Sequence, residues 1–304
     1  MSSRNNAGSA PHGGQGKKPS KSQIQKQQAA KRAMAAASGA KAARNKRLMQ
    51  VGVPVLVVIV VVGILIAVSA TRGKKGPNAT NQANQTVTSA VTGVPASVLD
   101  KVGAGSATGP SQLLTGSALT ENGKPKVLYV GAEWCPYCAA ERWALAQALS
   151  RFGTLTNLGQ TASDPNDTDP NTPTLSFHGA NFTSDTIALT AAEIEDNNHK
   201  PFDKLSSSDD KLFTTIGKSS FPFIDIGGKY QFGVQYDPAI LAGKTHAQIA
   251  DAMSDPSSDI GKAIDGSANV LTAAICQVTN GQPTNVCTAK GVTASTSTLT
   301  NANK

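Results

Sequence analysis

Apolar residues recur along the chain in three different rhythms. Residues 51–70, VGVPVLVVIVVVGILIAVSA, form a run without a charge, in which Ser69 is the one polar side chain. As a helix of about 30 Å such a run matches the hydrocarbon core of a bilayer, so the pattern predicts one transmembrane helix. The 50 residues ahead of it favour a retained anchor over a cleaved signal, although Val68-Ser69-Ala70 could serve as a cleavage site. The second rhythm is that of short strands and amphipathic helices. Residues 126–132 (KVLYVGA) read as a buried strand. Residues 136–152 read as a helix with Pro136 in its first turn, Leu145, Leu149 and Phe152 on one face, and Gly153 as its stop. Further strands are expected at 174–177 and 186–189. A hairpin is expected from 221–226 and 229–232 around Gly227-Gly228, and helices at 95–102, 206–215, 245–253 and 258–275. Strand, turn, helix, late hairpin and closing helix describe an α/β fold.

The third rhythm is the absence of one. Residues 1–50 are expected to be a disordered basic tail, 71–94 a flexible linker and 288–304 a second disordered tail, because none carries enough apolar surface to offset the entropy of ordering. That leaves 95–287 as the folded domain, long enough to build a core without help from disulfides.

Charge changes the picture. No acidic residue precedes Asp100, and residues 1–99 hold 14 of the 28 basic side chains, so the net +8 belongs to the N-terminal part and residues 100–304 carry −6. The basic balance therefore gives no reason to expect a nucleic-acid partner. Lys31, Arg32, Lys41, Arg44, Lys46 and Arg47 precede the span closely, against Arg72, Lys74 and Lys75 after it. That asymmetry predicts a single-pass protein of the cell membrane, with its N-terminus in the cytoplasm and its C-terminal domain outside.

Four cysteines then lie in a compartment that permits disulfides. Cys135 and Cys138, in WCPYC, stand where a strand meets a helix. There the backbone N–H groups and helix dipole stabilise a thiolate, which makes Cys135 the expected nucleophile and Cys138, one turn inside, the resolving thiol. A zinc knuckle would need a second tight pair, and Cys276 and Cys287 are too far apart in the chain to supply one; no metal site and no cofactor is expected. His178, His199 and His246 read as ordinary surface residues. Cys276 and Cys287 enclose a turn-rich loop, TNGQPTN, whose closure by a structural disulfide is worth roughly 3 kcal/mol in loop-entropy terms; a second redox relay with Cys135 is the alternative.

The AEWCPYC stretch resembles the active site of the thioredoxin superfamily, with Trp134 ahead of the first cysteine. In that superfamily a cis-proline faces the cysteine pair, and SSFPFIDIGGKYQFG offers Pro222 for the part. The resemblance implies a thioredoxin-like fold with an insertion at about 158–212, and substrate binding by Trp134, Phe221 and Pro222. A narrower resemblance covers most of 95–287. KPKVLYVGAEWCPYCAAERWALAQALSRFG, NTPTLSFHGANFTSD and CQVTNGQPTNVC are similar to an uncharacterised family of membrane-anchored thioredoxin-like proteins of bacteria and archaea. One departure stands out: thioredoxins place a buried Asp six residues before the first cysteine, and this chain has Tyr129. Together these readings imply a membrane-anchored thiol–disulfide oxidoreductase that oxidises or isomerises exported proteins. Its partners would be their thiols and disulfides, an unidentified membrane or envelope electron partner, and the lipid bilayer through 51–70. A tethered binding module, with the WCPYC pair as a structural disulfide, is the rival.

Overall fold

A computed structural model divides the chain into two units, Met1–Gly73 and Lys74–Lys304. The structure describes residues 85–300, all in the second unit. The expected span at 51–70 and the basic tail lie outside the described residues. Among those described, no helix is long and apolar enough to cross a membrane.

The fold is mixed α/β, built on the strand β3 (Lys124–Gly131). From Lys126 onward every residue of β3 is buried, because both faces of the sheet are covered. Val127 and Tyr129 face the main core, and Leu128 and Val130 face a smaller one. β8 (Ala188–Glu193) runs parallel to β3 on one side, with Lys126 opposite Ala188 and Gly131 opposite Glu193. On the other side β9 (Phe223–Ile226) runs antiparallel, with Val130 opposite Phe223. Beyond it lie β10 (Tyr230–Phe232) and the two-residue β1 (Gln112–Leu113), while β2 (Thr120–Glu121) pairs with the start of β3. The β9–β10 turn needs Gly227 and Gly228, both with positive φ, and Asp225 Oδ1 accepts the Gly228 N–H at 2.7 Å to close it.

Helix α3 (Pro136–Ser150) is buried on every side from Cys138 to Leu149. The single apolar face read from Leu145, Leu149 and Phe152 is therefore only part of its packing. The sheet covers one side, and helix α6 (Asp259–Val278) runs along another. Polar residues of α3 consequently find their partners inside the protein. Glu141 accepts from the backbone N–H and side-chain amide of Gln235, Gln147 Nε2 donates to Asp265 at 2.9 Å, and Arg151, the C-cap of the helix, donates to Asn269 and Thr272.

Three boundaries differ from expectation. The proposed insertion at 158–212 is two different things. β4 (Thr154–Thr156) pairs with β7 (Asn181–Thr183), and β5 (Gly159–Ala162) with β6 (Pro173–Ser176), making a nested antiparallel ribbon outside the central sheet. β8 and α4 (Ser207–Thr215) instead belong to the central layers, where β8 supplies the parallel neighbour of β3. The expected linker ends early, because 85–92 forms α1 (Gln85–Thr92), which buries Val87 and Val91 one helical turn apart. α2 (Ala96–Val102) follows directly. After α7 (Thr284–Cys287), residues 288–300 of the expected C-terminal tail carry α8 (Lys290–Ser295) and a 3-10 turn at Thr296–Thr300. Val292 and Leu299 are buried there, and the Gly291 N–H bonds Asp100. A few well-placed apolar residues outweigh a composition of Ser, Thr and Ala.

The remaining helix, α5 (His246–Ala252), starts with a capping box between Thr245 and Gln248.

Two buried carboxyls, Glu141 on α3 and Asp265 on α6, generate a pH dependence. Burial pushes Glu141 up to about 8 and Asp265 up to about 7, their amide hydrogen bonds opposing. Their folded values exceed the unfolded ones, so the folded state binds these protons more tightly. Stability is then full at low pH and falls as pH rises from about 4 through 8. Urea midpoints should drop between pH 5 and pH 9, and Glu141→Gln/Asp265→Asn should remove most of that drop. An unchanged drop in the double variant would contradict the assignment.

Candidate functional site

Gly131 ends β3, and Ala132, Glu133 and Trp134 turn the chain into α3. Cys135 is the N-cap of that helix: its backbone is extended, Pro136 follows at the first helical position, and its Sγ accepts the Cys138 N–H at 3.2 Å. Sulfur here occupies the place of the usual capping oxygen. Both thiols are free. Cys138 is fully buried and Cys135 is 3% exposed. The Cys135 thiol is drawn below its ordinary pKa by the thiol of Cys138, against burial. The Cys138 N–H, the charge of Arg142 and the Tyr137 N–H assist. Cys138 moves the other way, well above the ordinary thiol value, because burial and the neighbouring sulfur both disfavour its anion. One thiol is built to ionise and the other to keep its proton.

Beneath the thiols lies a charged cluster that sequence reasoning missed in part. Arg142, one turn beyond Cys138 on the same helix, points into the protein. Its Nε and Nη2 donate to the two carboxylate oxygens of Glu193 at 2.8 and 2.6 Å, and both side chains are completely buried. Nη2 also donates to Ala132 O at 2.6 Å, and Nε to the Tyr129 hydroxyl at 3.0 Å. Burial works against the Arg142 charge, but Glu193, Tyr129 and Glu133 hold it firmly protonated. Burial pushes the Glu193 carboxyl up, with Arg142 pulling it back. The Tyr129 hydroxyl donates to Glu193 at 3.4 Å, and burial raises its pKa well above that of an ordinary phenol. A Cβ on Gly131 would lie 2.0 Å from that hydroxyl, so only glycine leaves room for the cluster. Arg142 belongs to the charges that flank WCPYC in the sequence; no motif marks Glu193. The available signal was a lone carboxylate in the otherwise uncharged run 187–194 (IALTAAEI).

Around the mouth, Trp134 and Phe221 pack against Cys135 and meet edge to face, with ring centroids 5.9 Å apart. The Phe221–Pro222 peptide is cis. The β3–β9 register carries Pro222 to the end of β3, beside the cysteine turn. Trp134 is clasped by two loops. Its Nε1 donates to Glu195 at 2.7 Å, its carbonyl accepts the Asp164 N–H at 2.9 Å, and His199 stacks on its ring at 4.6 Å. His199 Nε2 lies 3.1 Å from Asp164. So His199, read from sequence as an ordinary surface residue, belongs to the rim. His178 pairs with Asp203, and His246 faces the carbonyls of Thr161 and Thr174. Tyr137 is 41% exposed next to Cys135.

Cys276 and Cys287 form a disulfide, with Cα atoms 5.5 Å apart. Two residues past Cys276, Val278 packs on Gly227, whose N–H bonds Lys126 near the beginning of β3. Cys135 follows the far end of that strand, so the bridge lies toward the opposite end of β3 from the cysteine turn.

A family model described as a domain of unknown function, DUF929, matches residues 113–214. That span includes both WCPYC cysteines, Tyr129, Arg142 and Glu193; Phe221, Pro222 and the C-terminal disulfide lie beyond it. No curated protein and no solved structure matches the chain.

The asymmetry of the two thiols is directly measurable. When the reduced protein is alkylated with iodoacetamide across pH, Cys135 should react with a midpoint below that of a free thiol, and Cys138 should stay protected. Gly131→Ala, which displaces the Tyr129 hydroxyl, should raise the Cys135 midpoint. Equal reactivity of both thiols, or an ordinary midpoint at Cys135, would contradict this geometry.

Proposed function

We propose that the chain is a thiol–disulfide oxidoreductase with a thioredoxin-like fold, tethered to the membrane by 51–70 and acting on exported proteins outside the cytoplasm. The observation that carries this reading is the Cys135 sulfur capping α3, with the Cys138 N–H directed at it. The strand order β8-β3-β9-β10, with only β8 parallel to β3, supports the fold assignment. So does the cis peptide before Pro222.

In the reaction, the Cys135 thiolate attacks one sulfur of a substrate disulfide. That S–S bond breaks, a mixed disulfide forms, and the departing substrate sulfur takes up a proton. Cys138 loses its proton and attacks the Cys135 sulfur, releasing the second substrate thiol and leaving Cys135–Cys138 oxidised. Two electrons have passed to the substrate. The reverse sequence oxidises a substrate dithiol. The rim formed by Trp134, Phe221 and Pro222 would hold the substrate chain.

The acid–base arrangement favours oxidation or isomerisation. A depressed Cys135 pKa stabilises the reduced pair and so makes its disulfide the more oxidising. Resolution by Cys138 also has no ready base. Among the described residues no carboxylate hydrogen-bonds its thiol, and Glu193 is engaged by Arg142 and Tyr129. The electron partner would be a membrane or envelope protein that reoxidises the pair.

Two outcomes test the reading. Cys138→Ala should accumulate mixed disulfides with exported proteins, cleaved by dithiothreitol, whereas Cys135→Ala should not. In a glutathione titration Cys135–Cys138 should reduce first, in the range of about −120 to −270 mV, with Cys276–Cys287 holding below about −300 mV. Absence of trapped species from Cys138→Ala, together with joint reduction of both pairs, would favour a tethered binding module instead.

A further inference from the structure

The nucleophile is covered. Cys135 is 3% exposed, yet exchange requires a second sulfur to approach its sulfur directly. A side chain over it must therefore move before a substrate disulfide can react. Two partly buried side chains pack on the cysteine pair, Trp134 and Phe221. Phe221 is anchored from behind: it stacks on the buried Phe213 of α4, ring centroids 5.4 Å apart, and its backbone runs through Pro222 into the fully buried β9. The backbone of the cysteine turn is also held. Ala132 O accepts from the Arg142 guanidinium and from the Cys135 N–H, and Trp134 O accepts the Asp164 N–H. What is left to turn is the Trp134 indole, by rotation about its side-chain bonds.

The indole is held by two side chains of a single loop. Its Nε1 donates to Glu195 Oε2 at 2.7 Å, and the His199 ring stacks on it at 4.6 Å, inclined by 30°. His199 in turn faces two carboxylates, with Nε2 3.1 Å from Asp164 Oδ2 and Nδ1 3.9 Å from the same Glu195 oxygen. The loop aims that ring. His199 has a φ of 57°, and the Asp196 side chain accepts the N–H groups of Asn198 and Lys200 on either side of it. These contacts lie at the surface, where the His199 side chain is 52% and the Glu195 side chain 36% exposed. Water competes for them, so they release more readily than the packing beneath.

We propose that Trp134 is a movable cover over Cys135 and that His199 and Glu195 are positioning residues that latch it, setting how often a substrate disulfide can reach the thiolate. The purpose of the latch rests on the oxidoreductase reading; its effect on access to Cys135 does not.

The test is the second-order rate at which the reduced full-length protein attacks 4,4′-dithiodipyridine, a disulfide whose neutrality keeps the charge of Glu195 out of the rate. It is taken on the high-pH plateau, where Cys135 is fully ionised and the rate follows the open fraction. Loss of one hydrogen bond or one ring contact should raise the plateau roughly threefold to tenfold. Glu195→Ala removes the first and His199→Asn the second, Asn being a residue that tolerates the left-handed backbone. Trp134→Ala should exceed both, and His199→Asn added to it should change nothing more. Lys200→Ala, on the same loop, should leave the plateau unaltered. Unchanged plateaus in the two latch variants would overturn the proposal. So would an equal gain from His199→Asn without Trp134, or from Lys200→Ala. If the plateaus respond as expected while Cys138→Ala traps no exported protein, the latch stands and the oxidoreductase reading falls.

Discussion

A guanidinium and a carboxylate with no access to water hold the functional end of this domain together. Arg142 and Glu193 are each fully buried, and desolvating such a pair costs several kcal/mol per ion before any attraction is counted. The cost is offset only because the geometry is bidentate and the remaining donors and acceptors are largely used, by Ala132 O and by the Tyr129 hydroxyl. Three elements meet in this cluster: β3 through Tyr129, α3 through Arg142 and β8 through Glu193. The turn that carries the cysteines is pinned to the same guanidinium through Ala132. Remove the pair and the N-terminus of α3 loses its fixed position over the strand ends.

That position is what differentiates two chemically identical thiols. Cys135 stands outside the first turn, where backbone N–H groups converge, and its sulfur takes one of them. Cys138 stands inside, enclosed and without such a donor. The charge of Arg142 reaches both sulfurs and lowers each thiol's pKa, but at Cys138 burial prevails. Tyr129 beneath the pair has a consequence of the same kind. A phenol that keeps its proton cannot accept one from Cys138.

Much of this was legible in the sequence where local chemistry decides the outcome. The strand at 126–132, the helix after Pro136 and the hairpin at Gly227-Gly228 carry their own signals of burial, capping and turn. They appear within a few residues of their expected ends. The cis peptide at Pro222 and the Cys276–Cys287 bridge also stand where they were read. What was not legible depends on long-range packing. Glu193 lies 51 residues from Arg142 along the chain, and its strand reads as a modest apolar run. The ribbon of β4 to β7 and the central strand β8 cannot be told apart by periodicity, since both are short and β-rich. The helices at 85–92 and 290–295 bury two residues and one residue of Val respectively, too few for composition to betray them. His199 reaches the rim only because the loop after β8 folds back over Trp134.

The central claim is that Arg142 and Glu193 act as one unit, and a double-mutant cycle on folding stability addresses it most directly. Arg142→Met and Glu193→Leu alone each leave a buried charge without its partner and should cost about 3–5 kcal/mol. The double variant leaves no orphaned charge, so it should be more stable than either single variant. Additive losses, with the double variant the least stable of the three, would contradict the account.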